Sequence, residues 1–532
     1  MEVVRAREEP AIGPWQRAVR IATLSLLVVG FALRARGFLF STIPFWEDEA
    51  AWAIRLVDLP LKEHVIRPLG FMALSKLLAW LFSPSETVLR LLPWLASVGA
   101  LLLSPLLAKR LFSSAAARLL FVAIVALHPG AIDLSKEFKP YSVGFAVHLL
   151  LLLLALRYID GGKLLNLAVL LGLLFTGTLL SQDAIFAYPA IFGVLLFEAF
   201  RARRVRHVVG IALTAVATLA LLGTLYVYQW REAVGRGDDT TDYWGKKYDV
   251  FYVQADGQGA SRLSWTAARI GELVGLPGMR RETWRAPHLR EQAMAELKNV
   301  DLNVWEALGL LGLGALVYRG RRREAVLLAG PLVVMVAFNA LGFWPLGAFR
   351  TNLFVLVYAA GLAGAAVDKR NSRPGGLDLV PAFGLVVAPF LLLGHTSHGT
   401  KSSSMAAGSA FTDAMRALAS LQPRGGRSSK LELALDSASC TPWRYYTRYH
   451  PDKERMQQLT RRFDARCIRN LEGMVRVLRH GLTTPESRAF VLVSRARSID
   501  DVETRLPPDL MIDSQVYVGQ RYQLVVRVKR AN

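Results

Sequence analysis

Cysteine is almost missing from this chain. Among 532 residues there are two, Cys440 and Cys467, both far toward the C-terminus. No phosphate-cradling glycine loop or other nucleotide motif appears. The nine histidines show no metal-ligand spacing and define no metal centre, although a divalent ion held by other groups stays open. Acidic residues are scarce beside basic ones, 42 against 64, giving a formal net charge of +22. No stacking or groove-reading motif accompanies that excess, so nucleic acid is not an expected partner; anionic membrane lipids are the natural counter-charge for part of it. The first apolar segment, Ile21 to Leu33, lies between Arg17, Arg20 and Arg34, Arg36 with no small-residue cleavage site. A retained span is expected there, not a cleaved signal peptide.

What the chain has in excess is apolar length. With 53% hydrophobic residues and a mean hydropathy of +0.31, it is too apolar for a soluble enzyme of this size and reads as a polytopic α-helical membrane protein. Runs of about 20 residues with their flanks cross a hydrocarbon core of about 30 Å. They fall at Ile21 to Leu33, Val88 to Ala108, Ala115 to Leu127, Val143 to Leu156, Leu164 to Leu180, Ile185 to Phe200, Val208 to Tyr228, Val304 to Val317, Ala325 to Leu341, Leu353 to Val367 and Leu379 to Leu393, about eleven spans. Pro68 to Phe82 is short and carries Lys76, so it is expected to lie at the interface.

With that segment left out of the count, Lys109 with Arg110, Arg157 with Lys163, the arginines between 201 and 206, those between 319 and 323, and Lys369, Arg370 and Arg373 all fall on one side. Positive charge marks that side as the cytoplasm. The N-terminus is then inside, and the loops at 36–84, 136–141, 181–183, 229–303 and 343–350 lie outside. Residues 1–400 form the membrane part. Residues 401–532, beginning at the polar run Lys401, Ser402, Ser403, Ser404, form a small exported α/β domain. Strand-like pieces are Ala489 to Val493 and Tyr522 to Val528, and helix-like ones are Phe411 to Leu421 and Arg469 to Leu478. An exported position permits a Cys440 to Cys467 disulfide, while two buried free thiols fit the sequence equally.

The polar chemistry gathers on the outer loops. Trp46, Glu47, Asp48, Glu49 form an acidic cluster just beyond the first span, where carboxylates usually touch a cavity, a cation or a substrate. Their bland reading is a solvated loop or a helix N-terminus. Ser135, Lys136, Glu137, Phe138, Lys139, Pro140, Tyr141, Ser142 form a second patch, and Arg350 stands at the mouth of a late span. Glu137 reads as a second cavity acid or as the ion-pair partner of Lys136 or Lys139. Asp183 reads as a cavity acid or, more simply, a helix N-cap. His64 reads as a positional residue beside the acids, and His148 as a hydrogen-bonded interior one. Trp230, Tyr243, Trp244 and Trp284 of the long loop suit either a cover over the cavity or an interfacial belt.

Taken in order, four stretches resemble the bacterial membrane glycosyltransferases of the GT-C fold, a group that includes protein O-mannosyltransferases and the lipid A aminoarabinose transferase. They are Phe45 to Ala50; His64 to Leu69 with Leu89, Arg90, Leu91, Leu92, Pro93; Glu137 to Ser142; and Trp344 to Arg350. Trp443, Arg444, Tyr445, Tyr446 also resembles a segment in the tails of such proteins. The resemblance implies transfer of a sugar from a polyprenyl phosphate to an acceptor hydroxyl of lipid A, a polysaccharide or a protein, with inversion, at the outer face of the cytoplasmic membrane. It implies Asp48 as general base, with Glu49 as fallback or orienting acid. Arg350, Lys139 and Lys136, with Arg67 behind them, are the cations for the donor phosphate. His64, Tyr141 and Asp183 are left for the acceptor or cavity. The chain departs from the pattern at Gly144, where many relatives carry an aspartate; that role is absent here or passes to Glu137 or Asp183. The alternative reading is a flippase for lipid-linked sugars, disfavoured by the one-sided polar groups and the lack of an apparent repeat. A scaffold whose exported domain binds a partner is a third.

Overall fold

The computed structural model describes residues 14–39, 44–64, 67–231, 262–274, 300–347, 350–368, 403–420, 431–461, 463–468, 471–482, 489–493, 503, 506–518 and 524–530. Ten apolar segments expected to span fall on helices. These are α1 (Pro14–Ala35), α4 (Glu86–Leu111), α5 (Ala115–Leu127), α7 (Tyr141–Gly161), α8 (Leu164–Leu180), α9 (Tyr188–Arg201) behind a 3-10 turn at Gln182–Ala187, α10 (Val205–Leu225), α12 (Val300–Tyr318), α13 (Arg322–Ala340) and α14 (Val355–Val367). Among the described residues six helices can cross a membrane by length and composition, or seven if α5 and the bent segment after it, α6 (Pro129–Asp133) with the turn Leu134–Lys136, count as one span. Leu164–Leu180, Ala307–Tyr318 and Val355–Val367 are shorter apolar helices, and Leu379 to Leu393 lies outside the described residues.

The interior is built by α4 against α7, α12 against α14, and α5 against α1 and α14. α7 and α14 are enclosed by their neighbours, whereas α10 turns Leu213, Val216 and Leu219 outward, as a helix facing hydrocarbon does. Local signals set the ends. Ser85 and Ser114 cap α4 and α5 by accepting from Val88 N and Ala117 N, satisfying amides that a helix start leaves open. α7 closes on Gly162 at φ +59°, a left-handed position that glycine adopts without strain.

The basic loops meet at one end of the bundle. There Arg321 donates to Leu111 O at 2.7 Å and pairs with Asp368 at 3.3 Å, and Asp368 accepts from Ser113 N and Ser114 N. At the other end lie two short elements of the first loop, α2 (Glu47–Asp58) and α3 (Leu69–Phe82). Most of the long loop after α10 lies outside the described residues, including Tyr243, Trp244 and Trp284. Its described helix, α11 (Arg262–Val274), packs on α12 and α14.

The C-terminal portion folds around a five-stranded mixed sheet in the order β2-β1-β3-β5-β4. β1 (Leu431–Leu435), β2 (Phe463–Cys467) and β3 (Ala489–Val493) run parallel, and β4 (Leu510–Val518) and β5 (Leu524–Arg530) pair antiparallel to close it. The expected strand at 489–493 and residues 524–528 of the expected 522–528 strand lie here. The helices are α15 (Ser403–Ser420), α16 (Ser437–Arg448), α17 (Lys453–Thr460) and α18 (Leu471–Gly481). Cys440 and Cys467 are joined in a disulfide with Cα atoms 5.5 Å apart, which ties α16 to β2 and decides between the two cysteine readings. α16 packs directly on α2.

Candidate active site

The acidic cluster is both things its sequence suggested. Glu47, Asp48 and Glu49 form the first turn of α2, where negative charge meets the positive end of the helix dipole, and they then point to different partners. Asp48 Oδ2 is held by Lys139 Nζ at 2.9 Å and by Arg350 Nη2 at 2.9 Å, while the side chain keeps 32% of its surface accessible. Glu49 turns inward, 1% exposed, and is bound in a fork by Arg90 Nε at 2.9 Å and Nη2 at 2.6 Å. Its Oε1 also accepts from Phe138 N at 2.6 Å. A bidentate arginine with a backbone amide satisfies a buried carboxylate and fixes its orientation. Glu49 therefore ties α2 to α4 and to the turn before α7, while Asp48 stays partly accessible.

Three aromatic side chains carry the cations. Trp52, one helical turn after Asp48, has Lys139 Nζ 4.0 Å from its ring centroid and Arg67 Cζ at 4.8 Å. Arg350 Cζ lies 5.1 Å from the Trp46 ring and 5.8 Å from that of Tyr141. Ring faces attract such cations, more strongly where water is excluded. Beneath them Phe45, Phe71, Phe138 and Trp52 pack ring on ring. Arg350 is presented by a stitched loop: Asn352 Nδ2 donates to Pro345 O and Gly347 O, and its Oδ1 accepts from Trp344 Nε1.

Charge follows from this packing. Burial pushes the Asp48 carboxyl up, but Lys139 and Arg350 outweigh it and hold it well below the usual carboxylate range. Burial brings the Lys139 ammonium down to about 8, with Asp48 pulling the other way. His64 is fully buried, and burial together with Arg67 and Lys76 lowers it to about 4, which keeps the imidazole neutral.

The remaining candidates are distributed unevenly. Arg67 and Tyr141 stand at the cluster through Trp52 and Arg350. Glu137 is buried beside it, and its carbonyl accepts from Lys139 N at 2.7 Å. That tight reversal sends Lys136 and Lys139 in different directions: Lys136 has Asp133, Arg34 and Arg36 as its charged neighbours. Asp183 sits inside the 3-10 turn, with His148 Nε2 4.0 Å from its Oδ1. A Cβ built on Gly144 would strike the Asp183 carboxylate and come within 2.6 Å of Ser181 Oγ, so the departure at Gly144 makes room for the acid at 183. His148 Nδ1 is hydrogen-bonded to Tyr358 Oη at 2.6 Å. Among the described residues no three His, Cys, Asp or Glu side chains are placed to hold a metal ion.

No motif in the sequence gives Trp52 a role or Arg90 a partner. The signal for Trp52 was its i+4 spacing from Asp48, which places both on one helix face.

The fold has solved counterparts. The chain aligns with ArnT from Cupriavidus metallidurans in the apo state over 97% of its own length and 98% of that chain, with a TM-score of 0.52 and 13% identity. The same protein bound to undecaprenyl phosphate aligns at TM-score 0.49 and 12% identity, covering 96% and 98%. The Archaeoglobus fulgidus oligosaccharyltransferase in the apo form aligns at TM-score 0.45 and 12% identity, covering 89% of this chain and 69% of that one. No family model matches the sequence, and no curated protein does. The fold is GT-C-like, as the four motifs implied, with helical spans and a small C-terminal sheet.

Proposed function

We propose that this protein is an inverting membrane glycosyltransferase that moves a sugar from a polyprenyl-phosphate donor to an acceptor hydroxyl at the outer face of the cytoplasmic membrane. The observation that carries this reading is the accessible Asp48 carboxylate set between Lys139 and Arg350. In the transfer step the acceptor O–H gives its proton to Asp48 as its oxygen bonds to the anomeric carbon. The bond from that carbon to the phosphate oxygen breaks, and the electron pair leaves with the lipid phosphate. The leaving group needs no proton, so charge neutralisation does most of the work at that end, and Lys139, Arg350 and Arg67 supply it.

The same cations make Asp48 a weak base while they are its only counter-charges. A donor phosphate entering between them takes over as their partner and raises the proton affinity of Asp48 at the moment an acceptor needs it. Donor before acceptor is the order this charge exchange favours. Residues 1–400 act as the transferase body and 401–532 as an exported domain over the same face. The orientation rests on the basic loops, which meet at the end of the bundle opposite Asp48. Acceptors of the lipid or glycan class and surrounding membrane lipids complete the reading.

The test is transfer of labelled sugar from a panel of polyprenyl-phosphate sugars to lipid and polysaccharide fractions by the purified protein. Label in an acceptor fraction supports the enzyme. Movement of intact lipid-linked sugar across a vesicle membrane, with no transfer from any donor, selects the flippase.

A further inference from the structure

The C-terminal domain touches the acid-bearing segment itself, not only the edge of the bundle. Tyr446 of α16 accepts from the backbone N–H of Phe45 at 2.7 Å, one residue before the N-cap of α2 and three before Asp48. The same hydroxyl donates to Glu86 Oε1 at 2.8 Å. Glu86 Oε2 meets His450 Nε2 at 3.0 Å. His450 Nδ1 accepts from Asp452 N, so the neutral ring carries its proton on Nε2 and donates it to Glu86. Glu86 is 3% exposed and Tyr446 2%; burial holds the tyrosine hydroxyl well above its ordinary value, so it remains a donor. One turn along α4 from Glu86 stands Arg90, which forks onto Glu49, stacks 4.7 Å from the Phe45 ring and reaches Pro44 O at 3.3 Å.

From this geometry we infer that Tyr446 is a positioning residue for Asp48, and that the C-terminal domain is thereby part of the transfer machinery. The inference rests on the glycosyltransferase reading for its kinetic arm only. The residues before α2 have no regular partner for the Phe45 amide, and Trp46 supplies no side-chain cap. Tyr446 fills that place from another domain, anchored by a carboxylate on the helix that also fixes Glu49. α2 therefore enters its first turn at a set angle. Asp48 is then directed toward Lys139 and Arg350 by three elements: α16, the first turn of α4, and the turn before α7. Tyr445, the neighbouring residue, is the natural contrast. Its hydroxyl donates to Pro84 O at 2.7 Å, so it holds the same domain to the same bundle without touching the Phe45 amide.

The experiment compares Tyr446→Phe with Tyr445→Phe in the full detergent-solubilised chain. Each keeps its ring; Tyr446→Phe loses the hydroxyl's two hydrogen bonds, to Phe45 N and Glu86 Oε1, and Tyr445→Phe loses the one to Pro84 O. Hydrogen exchange of residues 44–58 and the kinetics of transfer are read together. Tyr446→Phe is expected to speed exchange across 44–58 by about tenfold and to lower kcat by about tenfold, with donor KM within about twofold. Tyr445→Phe should leave exchange across 44–58 unchanged. Glu86→Gln, which leaves Tyr446 an amide oxygen, is expected to give a smaller rise in exchange and serves if Tyr446→Phe fails to fold. Equal effects of the two phenylalanine variants, or unchanged exchange in Tyr446→Phe, overturn the inference. A wild type that transfers no sugar overturns the glycosyltransferase reading, and the exchange arm still decides the positioning role.

Discussion

Lys139 makes the donor site sensitive to alkali in a way the structure specifies. Its side chain is 2% exposed, and burial lowers the ammonium to about 8 from an ordinary value of 10.5. In the unliganded protein the cation is therefore lost as pH rises through about 8. A hydrogen bond to a charged group contributes about 1.5 to 3 kcal/mol, so losing the charged donor should weaken capture of an anionic lipid about 10- to 150-fold. The quantity to follow is kcat/KM for the lipid donor between about pH 6 and pH 9.5, because it reports groups in the free enzyme. The profile should fall above about 8, and Lys139→Arg, whose guanidinium stays charged, should abolish the fall. The stability linked to this group runs the other way. Between about 8 and 10.5 the unfolded chain binds more protons at residue 139 than the folded one, so stability contributed by this group rises with pH while donor capture falls. On the acid side Asp48 stays ionised far below pH 5, and its contribution is lost only as pH falls through its depressed folded value. A flat profile through 8, or one that Lys139→Arg leaves in place, refutes the assignment of Lys139 to the donor.

Arg350→Ala removes one of the two cations on Asp48 and should raise donor KM about tenfold or more with acceptor KM little changed, measured by varying each substrate in turn. Arg90→Ala strands Glu49 at 1% exposure without its fork; breaking a buried pair this way costs about 3 to 5 kcal/mol and should appear as a lower Tm whether or not substrate is present.

The parts of this account that were readable from sequence are those where a residue's role depends on its immediate neighbours or on order along the chain. Spans followed from apolar runs, and strand 489–493 from its β-branched and aromatic content. Asp48 and Arg350 were singled out by separate motifs, yet their contact bridges 302 positions, a distance that periodicity does not carry. Lys136 and Lys139 were interchangeable in the sequence because both flank Glu137. The reversal at Glu137–Lys139 separates them, and turn geometry of that kind is set by tertiary packing. Trp52 belongs to none of the motifs, and its role comes from the two cations over its ring. Asp183 was read through its local capping role, while its surroundings come from Gly144, Ser181 and His148, two of them on a different helix. Tyr446 lay in a stretch with a recognisable pattern, but nothing local points from it to the amide of Phe45.

The central claim is that Asp48 takes the proton of the acceptor hydroxyl, and replacing one carboxylate oxygen by an amide tests it most directly. Asp48→Asn keeps the size of the side chain and an oxygen for Lys139 or Arg350, but cannot act as the base. Purified wild type and Asp48→Asn, matched for expression, folding and donor binding, are to be compared for transfer of labelled sugar from the polyprenyl-phosphate donor that the wild type uses. The account predicts transfer by the wild type and a loss of about 100-fold or more in kcat for the variant, with donor binding retained. An Asp48→Asn protein that transfers sugar at the wild-type rate contradicts it.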